Sequence, residues 1–202
     1  MEKDNSKILF KKEFSQGNFI VYNSKPKNVN HHLINQVHGA KIVRIENIKE
    51  NCKADGIVSS FQESICIKTA DCLPILYLGK DKYSLVHAGW KGLVNKIHIS
   101  NMLNEEVKPK EIFIGPSICK SCFEVKENFY QYFKEEKYYS KVDKKIYFDL
   151  MQYTIDTLKN KFKDSNIINN LQEQICTYHM ERFNSFRRDG TDKRNYNTFI
   201  PN

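Results

Sequence analysis

The chain has 202 residues, of which 40% are hydrophobic and 28% charged, which predicts one folded domain and excludes a disordered chain. The formal net charge is +8, but the lysines are spread along the chain without a nucleic-acid-binding motif, so we interpret the charge as general solvation. No apolar run is long enough to cross a bilayer and no secretory signal is recognisable, which predicts a cytoplasmic protein without a membrane partner. The six cysteines are therefore expected as thiols or metal ligands rather than disulfides.

The first half of the chain is rich in predicted strands. Its apolar runs are brief and β-branched, and several alternate with polar residues, which favours strands over buried helices. The predicted strands cover residues 8–14, 18–22, 41–46, 56–59, 65–68, 74–78 and 83–87.

After Trp90 the apolar period becomes that of a helix, which is expected to end before Pro109. Its apolar face would consist of Leu93, Val94, Ile97 and Met102. The remaining predictions are a strand over 111–114, helices over 128–133 and 150–162 with Asp149 as N-cap of the latter, a last strand over 174–178 and a polar loop over 184–194. We therefore expect one α+β domain over residues 1–202, layered αββα with mixed β-sheets.

Three short motifs each place a potential metal ligand near the end of a predicted strand. They are QVHG, TADC and VHAGWKG, with His38, Cys72 and His87 as the candidate ligands. Zinc favours imidazole and thiolate donors, and three protein ligands with one open position are typical of catalytic sites. The spacing alone does not distinguish this site from a buried cysteine and two hydrogen-bonded histidines, because only the fold could bring the three together.

Six motifs in order resemble the YfiH-like family, whose members are also called laccase-domain proteins, purine nucleoside phosphorylases or peptidoglycan editing factors. The motifs are QVHG, ADGIV, KTADCLPILY, LVHAGWKG, IGPSI and SFRRDG. The resemblance implies a metal-dependent enzyme in which His38, Cys72 and His87 bind zinc, with copper as the less favoured ion. It implies phosphorolysis of adenosine and inosine, with methylthioadenosine as a further candidate substrate, and adenosine deaminase activity.

Residues beside the three ligands suggest how substrate would be handled. Asp71 could orient a ligand imidazole or accept a proton, although a cap or turn residue would look the same. Lys91 lies in a glycine-containing turn that could bind an anion. Three arginines of the terminal basic segment could clamp phosphate or nucleoside, namely Arg187, Arg188 and Arg194. Trp90 and Phe186 could stack on a base or belong to the core.

Other features receive no role in this interpretation. Cys119 and Cys122 form a single CxxC pair, which invites a redox or second-zinc interpretation, but no partner pair lies at zinc-ribbon spacing, so we interpret it as incidental. No role is assigned to His31, His32, His98 or His179.

The chain departs from the family pattern at both ends. The segment before QVHG is short and lacks an Asn-Arg pair. The usual TGR near the end is replaced by Thr191, Asp192, Lys193 and Arg194.

Three alternatives remain open at the level of sequence. The first is a copper-dependent polyphenol oxidase, since two histidines and a cysteine also suit copper. The second is a hydrolase that edits a cell-wall precursor with Cys72 as nucleophile. The third, suggested only by the net charge, is a nucleic-acid-binding module. No protein partner is identifiable.

Overall fold

A computed structural model describes residues 6–169 and 175–202, and the bounds below refer to these residues. Strands in the first half are β1 Ile8–Phe14, β2 Gly17–Tyr22, β3 Ile42–Arg44, β4 Gly56–Ser60, β5 Ile65–Thr69, β6 Leu73–Leu78 and β7 Lys82–Ala88. Strands in the second half are β8 Glu111–Ile114, β9 Glu124–Val125, β10 Tyr139–Val142, β11 Lys145–Phe148, β12 Asn166–Asn169 and β13 Asn195–Pro201.

The strands form two large sheets and one small one. The six-stranded sheet has the order β12-β8-β6-β7-β4-β3 and is mixed, because β12 runs parallel to β8 and β3 runs parallel to β4. The four-stranded sheet, β1-β2-β13-β5, is antiparallel, and β10-β11-β9 form the small antiparallel sheet. A single α+β domain with mixed sheets is therefore confirmed.

The six-stranded sheet is buried on both faces, which explains the continuous apolar runs of its central strands. In β6, Ile75 and Tyr77 belong to one core cluster while Leu76 and Leu78 belong to the other. The second cluster also contains Phe19 of β2 and therefore lies between the two large sheets. The first cluster lies on the opposite face, where the helices pack.

The helices are α1 Trp90–Val94, α2 Leu150–Lys161 and α3 Phe186–Asp189. α2 confirms its prediction, and the Asp149 carboxylate caps it by accepting a hydrogen bond of 2.9 Å from the Gln152 backbone N–H. Its buried side chains, Ile155 and Leu158 among them, belong to the first core cluster. Shorter helical turns are the 3₁₀ helices Ile45–Asn47, Ile97–Ile99, Lys120–Cys122, Glu127–Gln131 and Glu136–Tyr138 and the π-helix Leu103–Val107.

The single helix predicted after Trp90 is wrong. The segment is divided into α1, a 3₁₀ turn and the π-helix, and Lys96 between the first two has a left-handed backbone with φ of 60°. A left-handed residue interrupts an α-helix, yet the apolar side chains still reach the core because each short helix buries its own. No helix among the described residues is long and apolar enough to span a bilayer.

The C-terminal predictions also need correction. Residues 175–179 contain one isolated bridge, between Cys176 and Ser117, followed by a turn rather than a strand, and Gln174 lies outside the described residues. The predicted loop over 184–194 contains α3. β13 was not predicted, although it lies between β2 and β5 in the four-stranded sheet.

Candidate metal centre

Strand pairing brings two of the three candidate ligands together. β6 and β7 are antiparallel, with Leu73 opposite Ala88, so Cys72 just before β6 lies close to His87 and Gly89 at the end of β7. Gly89 is required for this approach, because a Cβ added there would lie 2.9 Å from the Cys72 Sγ. The glycine of the HAGW motif thus leaves the space that the thiol occupies.

His38 reaches the same point from the loop before β3. Its ring lies 4.7 Å from that of His87 between centroids, in an edge-to-face arrangement. One ligand atom from each of His38, Cys72 and His87 lies within 4.8 Å of the others, so the three side chains could hold one metal ion. The structure therefore brings together all three sequence-predicted ligands.

Asp55 positions two of these ligands, and sequence reasoning missed it. The fully buried carboxylate accepts a hydrogen bond of 2.9 Å from His87 Nδ1, which leaves Nε2 of His87 available to a metal. It also accepts backbone N–H bonds from His38 at 2.9 Å and Gly39 at 2.7 Å. The sequence contained a signal for this role, because Asp55 is the aspartate of the ADGIV motif and immediately precedes a buried strand.

The charges of this group reinforce one another. Burial opposes ionisation of Asp55, but hydrogen bonds from His87 and from the Gly39 amide lower its pKa. Burial likewise disfavours the Cys72 thiolate, yet the charge of His87 and hydrogen bonds from His38 and His87 lower the pKa of Cys72 to about 6. The pKa of His87, which burial would lower, is raised to about 9 by Cys72 and Asp55. The surroundings of Cys72 therefore favour its thiolate, which is the form that binds a metal.

Asp71 does not touch the ligand imidazoles, so the orienting role expected of it falls to Asp55. Its carboxylate instead accepts hydrogen bonds from the Thr177 hydroxyl at 2.7 Å, the Ser185 hydroxyl at 3.0 Å and the Arg187 backbone N–H at 2.7 Å. Asp71 immediately precedes Cys72, so these hydrogen bonds connect the C-terminal segment to the candidate metal centre. Asp71 also lines the cavity described next.

A cavity of about 660 Å³ opens above the three ligands. Lys91, Arg187 and Arg194 line it, so three of the four predicted substrate-binding cations lie around the candidate metal centre. Aromatic side chains line it as well, namely Trp90, Phe123 and Phe186. Of these, Phe123 was not predicted.

Both arginines that line the cavity donate hydrogen bonds to backbone carbonyls, which hold them in place. Arg187 donates to the Glu124 carbonyl at 2.7 Å and its guanidinium lies 5.2 Å from the Phe123 ring centroid. Arg194 donates to the Thr191 carbonyl at 2.8 Å. Although this chain lacks the usual TGR motif, Arg194 still lines the cavity.

Arg188 serves the structure rather than the cavity. Its guanidinium pairs with Asp189 and donates to the carbonyls of Thr177, Tyr178 and Phe183. Because Arg188 is absent from the cavity wall and its donors are engaged, the phosphate-clamp role expected from sequence does not fit this residue.

Several known proteins resemble this chain. A family model described as "Multi-copper polyphenol oxidoreductase laccase" matches residues 20–199. A purine nucleoside phosphorylase of Aquifex aeolicus is 29% identical over 164 residues, 79% of this chain and 77% of that protein. The purine nucleoside phosphorylase Cj1217c of Campylobacter jejuni is 30% identical over 80% of this chain and 73% of its own length. The adenosine deaminase RL5, from an unknown prokaryotic organism, is 33% identical over 40% of this chain and 34% of its own length.

Solved structures share the fold. Neisseria meningitidis protein NMB0706 has a TM-score of 0.78 at 18% identity, over 98% of this chain and 99% of that one. The Bacillus licheniformis hypothetical protein YfiH has a TM-score of 0.71 at 18% identity, over 85% of this chain and 74% of that one.

Proposed function

This chain belongs to the multi-copper polyphenol oxidoreductase laccase family, and on that premise we propose that it is a zinc-dependent purine nucleoside phosphorylase with adenosine deaminase activity. The family membership agrees with the YfiH-like motifs of the sequence. The relatives named purine nucleoside phosphorylase and adenosine deaminase support a nucleoside as substrate. Phosphate would be the second substrate, and adenosine, inosine and methylthioadenosine are the nucleosides to test.

The observation that carries this proposal is the convergence of three side chains that could bind a metal and three cations on one cavity. Two imidazoles and one thiolate are a donor set that zinc favours, and three protein ligands leave one position for a substrate atom or water. When bound, zinc would supply a Lewis acid. His38, Cys72 and His87 would hold it, and Asp55 would fix the ring orientation of His87 and the backbone of His38.

In phosphorolysis, a phosphate oxygen forms a bond to C1′ of the ribose while the bond from C1′ to the purine nitrogen breaks. The products are ribose 1-phosphate and a free purine. Lys91, Arg187 and Arg194 would hold the phosphate against the sugar, since guanidinium forks match phosphate geometry. The aromatic residues Trp90 and Phe186 would provide surfaces for the base.

In deamination, water adds to C6 of adenine and ammonia leaves. Such a step needs a group that takes a proton from the water and returns one to the leaving nitrogen. Asp71 lines the cavity beside Cys72, and it is the group that we propose for this transfer. The two reactions would then differ in whether phosphate or water occupies the cavity beside the base.

Zinc content and product analysis test the proposal together. Protein expressed without added copper should contain zinc, release hypoxanthine from inosine only when phosphate is present, and release ammonia from adenosine without phosphate. Cys72→Ala should lose the cavity zinc and both activities, whereas Cys52→Ser, away from the cavity, should keep them. Full zinc occupancy without purine release would refute the phosphorylase proposal, and copper with phenol oxidation would support the oxidase instead.

A second candidate function rests on a different observation. Cys72, His87 and Asp55 form a chain in which the thiol is paired with an imidazole that a buried carboxylate orients. This is the arrangement of a cysteine nucleophile with its base, and it suits a hydrolase acting on a cell-wall precursor. A Cys72→Ser variant that keeps zinc yet loses turnover would favour this candidate, while joint loss of zinc and turnover would favour the metal enzyme.

A further inference from the structure

The CxxC pair at Cys119 and Cys122 lies beside a second pair of potential metal ligands that is distant in sequence. Cys176 and His179 form a second pair with the same separation of three positions, and the two pairs meet in the fold. One ligand atom from each of the four residues lies within 4.8 Å of the others. The sequence predicts an incidental CxxC pair because no second pair lies nearby, but the fold brings in two partners from about 57 residues further along.

From this cluster we infer that Cys119, Cys122, Cys176 and His179 bind a second zinc ion, at a structural site separate from the candidate metal centre. Three cysteines and one histidine are a common donor set of structural zinc sites, in which the protein supplies all four ligands. No residue is shared between this cluster and the group formed by His38, Cys72 and His87.

The distances within the cluster are close to those around a tetrahedral ion. The Cys122 Sγ lies 3.1 Å from His179 Nε2, and the Cys119 Sγ lies 3.9 Å from His179 Nδ1. The imidazole would bind through one of these nitrogens, so the ring must turn slightly to bring that nitrogen to all three sulfurs. Donor atoms of tetrahedral zinc are about 3.5–3.8 Å apart, as follows from bonds of about 2.3 Å to sulfur and about 2.0 Å to nitrogen. Small rotations of these side chains would therefore complete the site.

The backbone around the cluster holds the two pairs in register. Ser117 and Cys176 form an isolated bridge, and the Thr177 N–H donates to the Ser117 carbonyl at 3.0 Å. The Cys119 N–H donates to the Cys176 Sγ at 3.3 Å, and the chain turns so that the Cys122 N–H donates to the Cys119 carbonyl at 3.1 Å. These backbone contacts hold the two pairs side by side, although they lie about 57 residues apart in sequence.

Burial of the cluster also fits a structural ion. Cys122 and Cys176 are buried and Cys119 is half-buried, while His179 is exposed and provides a route for the metal to enter. The six cysteines all lie among the described residues, and none of them forms a disulfide. Three sulfurs and an imidazole meeting at one point exceed what packing of a small apolar side chain requires.

The second zinc would stabilise a wall of the cavity above the candidate metal centre. Thr177 lies between two of the ligands, Cys176 and His179, and its hydroxyl donates to Asp71 beside Cys72. On the other pair, Ile118 precedes Cys119 and Phe123 follows Cys122, and both line the cavity. The ion would therefore join two segments that border the first site without contacting substrate.

Zinc stoichiometry of purified protein tests this inference without reference to activity. The wild type should contain two zinc ions per chain by mass spectrometry of the metal. Cys119→Ser combined with Cys176→Ser should reduce this to one, His38→Ala combined with Cys72→Ala should also reduce it to one, and Cys52→Ser should leave two. A wild type with at most one zinc, lost only in the His38 and Cys72 variant, would overturn the inference.

Thiol protection provides a second measurement that needs no variant to fold. In the native protein, Cys119, Cys122 and Cys176 should resist alkylation until a chelator removes zinc, whereas Cys52 should react at the same rate with and without chelator. Equal alkylation of Cys119 in both conditions would overturn the inference. A Cys119–Cys122 disulfide in protein purified without reductant would do so as well, because it would indicate a redox pair instead.

Discussion

At the scale of single residues, Asp55 is the group on which the candidate metal centre depends most. It is fully buried, and its hydrogen bonds reach both the side chain of His87 and the backbone of His38. Hydrogen bonds to metal-binding histidines fix the tautomer and the ring orientation. Removing this one charge should therefore disturb two ligands without removing either.

We predict that Asp55→Asn lowers the zinc affinity of the first site by about 10–100-fold. The amide keeps the size of the side chain but loses the charge that holds His87, and its NH₂ cannot accept the bonds that the carboxylate accepts. Competition with a chromogenic chelator measures the affinity. Asp71→Asn is the matched control and should bind zinc as the wild type does, because Asp71 contacts no ligand imidazole. Unchanged affinity in Asp55→Asn would contradict the positioning role.

A second prediction at this scale concerns Gly89. An added Cβ would lie 2.9 Å from the Cys72 Sγ and 3.4 Å from the His38 ring, so Gly89→Ala must displace a metal ligand. We expect loss of first-site zinc, with an unfolding midpoint in urea close to that of the zinc-free wild type. Gly39→Ala is the control, since its added methyl would have its nearest neighbour at 3.5 Å, an ordinary contact. Wild-type zinc content in Gly89→Ala would show that the thiol can move aside.

At the scale of elements, the secondary-structure predictions were most accurate where the determining residues lie within the element itself. The strand predictions for β5, β6 and β7 agree with the structure to within one residue, because short β-branched runs are a property of contiguous residues. The same holds for α2, whose cap and apolar face lie within the helix. The helix predicted after Trp90 failed because the left-handed backbone at Lys96 has no local signal.

The cap of α2 supports a stability prediction. The Asp149 carboxylate accepts a hydrogen bond from the Gln152 N–H, one of the amides that have no partner within the helix. Asp149→Ala should lower the free energy of unfolding by about 1 kcal/mol. Urea denaturation measures the change, and Asp149→Ser, which retains a capping oxygen, should restore most of it. A loss of equal size in both variants would show that capping is not the cause.

At the scale of the whole molecule, His98 links stability to pH. Its side chain is fully buried, its Nε2 lies 2.9 Å from the Thr157 hydroxyl, and burial lowers its pKa from 6.5 to about 4. Between these two values the unfolded chain binds a proton that the folded protein excludes. Stability from this group is therefore complete above pH 6.5 and is lost as the pH falls toward 4.

We expect His98 to account for up to about 3 kcal/mol of the acid destabilisation, from the size of the pKa shift. His98→Gln should have a shallower fall in unfolding free energy between pH 6.5 and 4 than the wild type, whatever its stability at pH 7. Identical slopes in His98→Gln and the wild type would exclude His98 as the source.

The sequence by itself determined the class of fold, most of the strands, the cap of α2 and the identity of the three candidate ligands. Each of these depends on contiguous residues or on motifs in order along the chain. Only the tertiary structure decided the contacts between distant residues. In the structure, Asp55 orients His87, and Arg188 donates to backbone carbonyls. Strand β13 lies between β2 and β5. Cys176 and His179 lie beside the CxxC pair. The physical reason is that a hydrogen bond or a metal site depends on distance in space, and chain folding brings together residues whose separation in sequence carries no local pattern.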